Sequence, residues 1–89
     1  MRSIRTREFR RLLAALPVEA RRQASHAYQQ FQDDPYHESL HFKRASGYDD
    51  VYSARVGIRY RVLGIRDGDV LVWYWIGTHA DYDRLLRGR

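Results

Sequence analysis

Cysteine is absent from this 89-residue chain, which excludes disulfides and thiolate metal sites. No apolar run approaches the roughly 20 residues needed to cross a bilayer. The basic start, Met1-Arg2-Ser3-Ile4-Arg5, lacks the apolar segment of a signal peptide, so a cytoplasmic location is expected. Proline occurs only at Pro17 and Pro35, each where a helical pattern stops or restarts. Acidic residues are outnumbered, 11 Asp and Glu against 16 Lys and Arg, for a net charge of +5. With a pI near 10.0, that balance favours nucleic acid, a membrane surface or an acidic protein as partner.

What remains is enough for one core. The chain is 44% apolar with seven Tyr and two Trp, although a domain this short buries only about 60% of its extended surface. Disorder is not expected, and residues 1–89 read as a single domain. Phe9, Leu12, Leu13 and Leu16 form one face of a helix starting after Thr6. Pro17 breaks it and suits the first turn of a second helix, whose stripe is Ala20, Ala24, Ala27, Tyr28 and Phe31. Asp33-Asp34-Pro35 ends that helix, because a residue before proline is pushed out of the helical region.

From Leu40 the period changes to two. Strands are predicted over 40–45, 51–56, 60–65 and 70–76, with a turn over 46–50, a loop over 57–59 and an Asp67-Gly68 hairpin. Thr78 followed by Asp81 predicts a capping box for a final helix with Tyr82, Leu85 and Leu86 inward. The predicted fold is α+β: an N-terminal helical hairpin packed on a four-stranded antiparallel sheet, with a short C-terminal helix. A three-residue loop at Gly57-Ile58-Arg59 pairs Val56 with Tyr60 and puts Arg55 opposite Arg61. Carrying the count through Asp67-Gly68 places Tyr74 beside Arg61 and both Trp73 and Trp75 in the core.

His79 follows an aromatic strand through Ile76-Gly77-Thr78, where a strand hands over to a helix and side chains project past the sheet edge. A titratable imidazole beside Arg55 and Arg61, in a basic protein, points to chemistry on or near phosphate. The plainer readings are a solvent-exposed helix start for His79 and ion pairs with Asp81 or Asp83 for the arginines. His37 and His41 are four apart, but Pro35 and the strand that follows argue against a helical two-histidine metal site.

Tyr52-Ser53-Ala54-Arg55-Val56-Gly57, then Tyr60-Arg61-Val62-Leu63, then Ile76-Gly77-Thr78-His79 before a final helix resemble the RelE/ParE superfamily of bacterial toxins. The segment Asp34-Pro35-Tyr36-His37-Glu38-Ser39-Leu40-His41-Phe42-Lys43 is similar to the Asn-Pro-x-His-x-Ser-Leu-x-Phe-Lys of small RelE-like proteins. The superfamily holds ribosome-dependent mRNA endonucleases and gyrase inhibitors without nuclease chemistry. For the RelE-like branch the resemblance implies metal-free attack of the mRNA 2′-OH on its own phosphate, leaving a 2′,3′-cyclic phosphate and repressing translation. It implies His79 as general acid, with Arg55 and Arg61 as catalytic cations at strand positions where the family is basic. Lys43, Arg44, Arg59, Tyr74 and Tyr82 complete the expected RNA contacts. Ser53 stands where the best-known members carry lysine, and the general base stays unassigned.

The partners this implies are a cognate antitoxin offering an acidic or amphipathic segment, and the ribosome with its mRNA. No metal, cofactor, small-molecule ligand or membrane is expected. The alternative is a ParE-like gyrase inhibitor, or an inactive homologue, acting by protein binding.

Overall fold

Thr6 decides where the first helix starts. Its backbone is extended and its hydroxyl accepts the Phe9 N–H at 3.0 Å, satisfying a donor that the first turn leaves without a partner. In this computed structural model, which describes residues 1–45 and 47–87, α1 runs Arg7–Ala14. Phe9 is buried, and Leu12, Leu13 and Leu16 pack against the core beside it. After a tight corner, the Pro17 carbonyl accepts the Arg21 N–H at 3.1 Å and opens α2, Val18–Asp33. The buried stripe of α2 is Ala20, Ala24, Ala27 and Phe31, so small side chains let the helix lie close to the sheet. Asp34, before Pro35, is extended and ends it.

The sheet has five strands in the order β1-β5-β4-β3-β2, formed by Arg2–Arg5, Lys43–Arg44, Val51–Val56, Tyr60–Asp67 and Val70–Thr78. The α+β class is as expected, but the four-stranded antiparallel sheet is corrected to a five-stranded mixed one. β1 pairs parallel with β5, Ile4 opposite Val72 and Arg5 opposite Trp73. Nothing local marks Arg2-Ser3-Ile4-Arg5 as a strand, since its partner lies at the far end of the chain. Tyr28 of α2 holds it from the core side: the Ser3 hydroxyl donates to the Tyr28 hydroxyl at 3.1 Å, and the Arg5 guanidinium lies 4.5 Å over the ring.

The first predicted strand also changes. Glu38–Leu40 is a 3-10 turn, His41 is left-handed at φ 47°, and β2 keeps only Lys43–Arg44. His37 Nδ1 accepts the Ser39 N–H at 3.2 Å, a local side-chain bond that competes with strand pairing. Leu40 is thereby driven fully into the core, beneath α2. Ser46, in the turn predicted over 46–50, lies outside the described residues.

Register follows expectation on one side of β4 and departs from it on the other. Val56 faces Tyr60 and Arg55 faces Arg61 across β3 and β4. The second hairpin turns at Gly68-Asp69, because Asp67 pairs with Val70. A bulge then leaves Tyr74 unpaired, with Leu63 opposite Trp75 and Gly64 opposite Trp73. Gly77, not Tyr74, therefore faces Arg61. The extra residue also sends the two tryptophans to opposite faces. Trp73 is buried among the core residues, whereas Trp75 lies on the other face, across Gly77, and is only half-buried. Both rings need a missing side chain: a Cβ on Gly64 would sit 2.8 Å from Trp73 Cε3, and one on Gly77 would sit 2.5 Å from Trp75 Cζ2.

The core between helices and sheet is closed by aromatic edges. Phe31 meets Phe42 at 5.1 Å and Trp73 at 5.3 Å between ring centroids, both nearly perpendicular. The opposite face carries Ser53, Leu63 and Trp75 in one cross-strand row and Arg55, Arg61 and Gly77 in the next.

Candidate functional site

The basic row ends at α3, His79–Arg87, and the Thr78 hydroxyl starts that helix by accepting the Asp81 N–H at 3.1 Å. The capping box is half-made, because the Asp81 carboxylate pairs with Arg84 instead of returning to Thr78. The His79 N–H donates to the Arg59 carbonyl at 2.7 Å, which ties the helix start to the turn between β3 and β4. Its ring stacks on Tyr82 at 6.2 Å, and Arg61 places its guanidinium 5.8 Å from the same Tyr82 ring. Arg61, Tyr82 and His79 thus form one continuous contact, with Tyr82 as the bridge. The Nδ1 of His79 lies 3.5 Å from Asp83, so Nε2 is the nitrogen left to face a substrate.

The packing of α3 is looser than its pattern predicts. None of its described residues is buried; Tyr82 and Leu86 are half-covered and Leu85 is 46% exposed, not inward. The carboxylates that competed for the arginines are taken: Asp81 by Arg84 and Asp83 by His79. Among the described residues neither Arg55 nor Arg61 pairs with a carboxylate.

Arg55 stands opposite Arg61 but directs its guanidinium elsewhere. Its Nε donates to the Gly57 carbonyl at 3.1 Å and its Nη1 to His41 Nε2 at 3.5 Å. Like charges directly opposite on a sheet repel, and turning one away relieves that. Arg55 therefore borders an open groove of about 820 Å³ shared with Gln23, His26 and Gln30 of α2 and with Ser39. His41 is the neighbour that sequence reasoning missed. Sequence spacing brings it up only with His37, as a two-histidine metal site that Pro35 and the following strand argue against, and the His37 Nδ1 is engaged by Ser39.

The remaining expected residues do not gather in one place. Lys43 pairs with Ser53 and shares the face of Arg55 and Arg61, whereas Arg44 pairs with Tyr52 on the helix-covered face. Arg59 is exposed in the β3–β4 turn and contributes its carbonyl to His79. Tyr74 sits at the bulge, away from Arg61, and burial, then neighbouring Tyr48, pushes its phenol above the ordinary tyrosine range. Ser53 is fully buried, and among the described residues its hydroxyl has no hydrogen-bond partner. Among the described residues no three His, Asp or Glu cluster as metal ligands, and no helix is long and apolar enough to cross a membrane.

The fold is similar to that of several solved toxins. The RelE chain of the RelB–RelE antitoxin–toxin complex from Methanococcus jannaschii aligns over 90% of this chain and 95% of that one, at a TM-score of 0.71 and 22% identity. The RelE–RelB complex from Pyrococcus horikoshii OT3 gives 0.67 and 21% over 86% and 92%. The isolated RelE toxin of E. coli gives 0.65 and 14% over 99% and 98%. No curated protein matches significantly. At these identities the structures establish the fold, a RelE arrangement of sheet and helices. The sequence itself is more specific: residues 18–84, from the start of α2 to the middle of α3, fit the ParE-like toxin domain, and the chain is a member of that family of toxins.

Proposed function

We propose that this protein is the toxin of a toxin–antitoxin pair and cleaves mRNA on the ribosome without a metal, repressing translation in the cytoplasm. The observation that carries this reading is the continuous contact from Arg61 through Tyr82 to His79. An uncompensated guanidinium beside an imidazole supplies two things that cleavage by a 2′-OH requires. Arg61 stabilises the charge that grows on the phosphorane oxygens, through a fork matched to phosphate. His79 gives its proton to the departing 5′ oxygen, held by Asp83 with Nε2 outward. A gyrase inhibitor needs no acid at this position.

Tyr82 offers a flat face for a base, and Lys43 adds positive charge on the same side of the sheet. Arg59, exposed at the turn, is placed for a flanking phosphate. Arg44 and Tyr74 are further from that cluster, and we assign them no contact. The archaeal relatives were solved with RelB antitoxins, which supports a cognate antitoxin for this chain. With a net charge of +5, its surface suits an acidic segment. Primer extension on translated mRNA after induced expression tests the reading: cleavage by the wild type and none by His79→Ala is expected. Silence from both, with gyrase inhibited, would establish the ParE-like alternative.

A further inference from the structure

We infer that the groove between Arg55 and α2 binds the phosphate backbone of single-stranded RNA beside the cleaved bond, an inference that rests on the nuclease reading above. By register Arg55 belongs to the sheet face that carries Arg61, away from the helices. It nevertheless lines a groove walled by α2. Both placements hold because the sheet edge is open there. β2 pairs only with Tyr52 and Ser53, and β3 runs on past it to Val56. Arg55 Nε and Nη1 are engaged by Gly57 and His41, so among the described residues Nη2 keeps both hydrogens for a ligand. Arg55 is therefore common to the basic row and the groove, one strand spacing of about 5 Å from Arg61 at the backbone.

The other polar groups of the groove favour an anion. A backbone N–H can only donate, so the 3.2 Å bond from the Ser39 N–H to His37 Nδ1 puts the ring hydrogen of His37 on Nε2. The Ser39 hydroxyl donates to Gln30 Oε1 at 2.9 Å, which leaves the Gln30 amide hydrogens to donate. Among the described residues Glu19 is the only carboxylate on the lining, and Arg22 pairs with it at 3.1 Å. The Arg55 charge is left without an acidic partner there. At about 820 Å³ the groove is within the range of about 300–1,000 Å³ that ligand pockets take, enough for more than a bare phosphate. Ala27, Leu40 and Ile58 supply apolar wall for a sugar or base. A strand held by its phosphate at Arg61 carries a further negative charge at each neighbouring nucleotide, and positively charged grooves track such backbones. Arg55, turned away from Arg61, holds one of these flanking phosphates and not the scissile one.

The test measures binding of a nine-nucleotide oligouridylate, 2′-O-methylated so that no 2′-OH can attack, by fluorescence anisotropy over a range of salt. Arg55→Ala should lose about tenfold in affinity, the cost of one charge-assisted bond to phosphate. Its slope of log K against log salt should shrink by about 0.7, the share of one phosphate contact on a single strand. Arg55→Lys should keep the wild-type slope and lose part of the affinity, since a point charge lacks the fork. Gln30→Glu keeps the acceptor that Ser39 uses but brings a carboxylate to the groove, and it should weaken the oligonucleotide as well. Unchanged melting profiles verify the fold of each variant. Wild-type affinity and slope in both Arg55→Ala and Gln30→Glu overturn the inference. If these two bind RNA normally but lose an acidic peptide partner, the groove is a peptide site and the inference is equally overturned. Wild-type cleavage of mRNA on programmed ribosomes is run alongside. Arg55-dependent RNA binding without cleavage would support the groove and overturn the nuclease reading; cleavage without any effect of the groove variants would do the reverse.

Discussion

Arg55 and Arg61 face each other across β3 and β4, yet their guanidiniums lie on different partners: Gly57 and His41 for one, the Tyr82 ring for the other. Among the described residues neither guanidinium pairs with a carboxylate. Directing the two guanidiniums to different partners relieves the repulsion between like charges on opposed residues.

Arg61→Ala should abolish toxicity with the fold intact. Losing one preorganised contact to the phosphorane costs about 3–4 kcal/mol of barrier, or roughly 10²–10³ in rate. Lysine at 61 should recover part of the activity, since a point charge lacks the planar fork. Growth after induction, with thermal melting as control, checks both; unchanged toxicity in Arg61→Ala removes it from the mechanism.

Replacing His79 with alanine should stop cleavage and leave antitoxin binding nearly as strong, because the side chain is 51% exposed and adds little to the core. His79→Gln should fail as well, keeping a hydrogen bond without a transferable proton. Ribosome-dependent cleavage at matched protein concentration is the measurement. Equal rates for His79→Ala and wild type would remove the acid role.

Gly64→Ala should destabilise by about 1–3 kcal/mol, read from urea unfolding. Its Cβ would press on Trp73 at 2.8 Å and Leu71 at 3.3 Å, both buried and closely packed. The shift would reach the bulge that sets which residue faces Arg61, so activity should fall with stability. A neutral effect would show that the Trp73 ring has room to move.

Tyr74 provides an alkaline prediction. Its phenol titrates above the ordinary value of 10.0 because burial, and then Tyr48, disfavour the phenolate. A folded-state value above the unfolded one contributes stability below pH 10 that is lost as pH rises through the folded value. Tyr74→Phe should therefore lose stability less steeply above pH 10 than wild type. Identical alkaline melting curves would contradict the buried placement.

Much of this fold is written in local pattern. The Thr6 and Thr78 caps, the alanine stripe of α2, the stop at Pro35 and the Arg55–Arg61 register all follow from spacing and short-range chemistry. Each depends on residues only a few positions apart, where backbone sterics and nearby hydrogen bonds dominate. The position of His79 after Gly77-Thr78 is of the same kind.

Tertiary structure decided what depends on distant partners. β1 is a strand only because β5 offers a free edge, and a segment with a single apolar side chain cannot announce that. Tyr74 moved away from Arg61, and Trp75 out of the core, because one bulged residue reverses the alternation that a period of two projects through a strand. Its cause is cross-strand: Trp73 needs the bare backbone of Gly64. His41 met Arg55 because a 3-10 turn, fastened by His37 and Ser39, replaced the start of a strand. The sequence by itself determined the elements and the charged residues at the sheet end; packing between those elements decided which side chains meet.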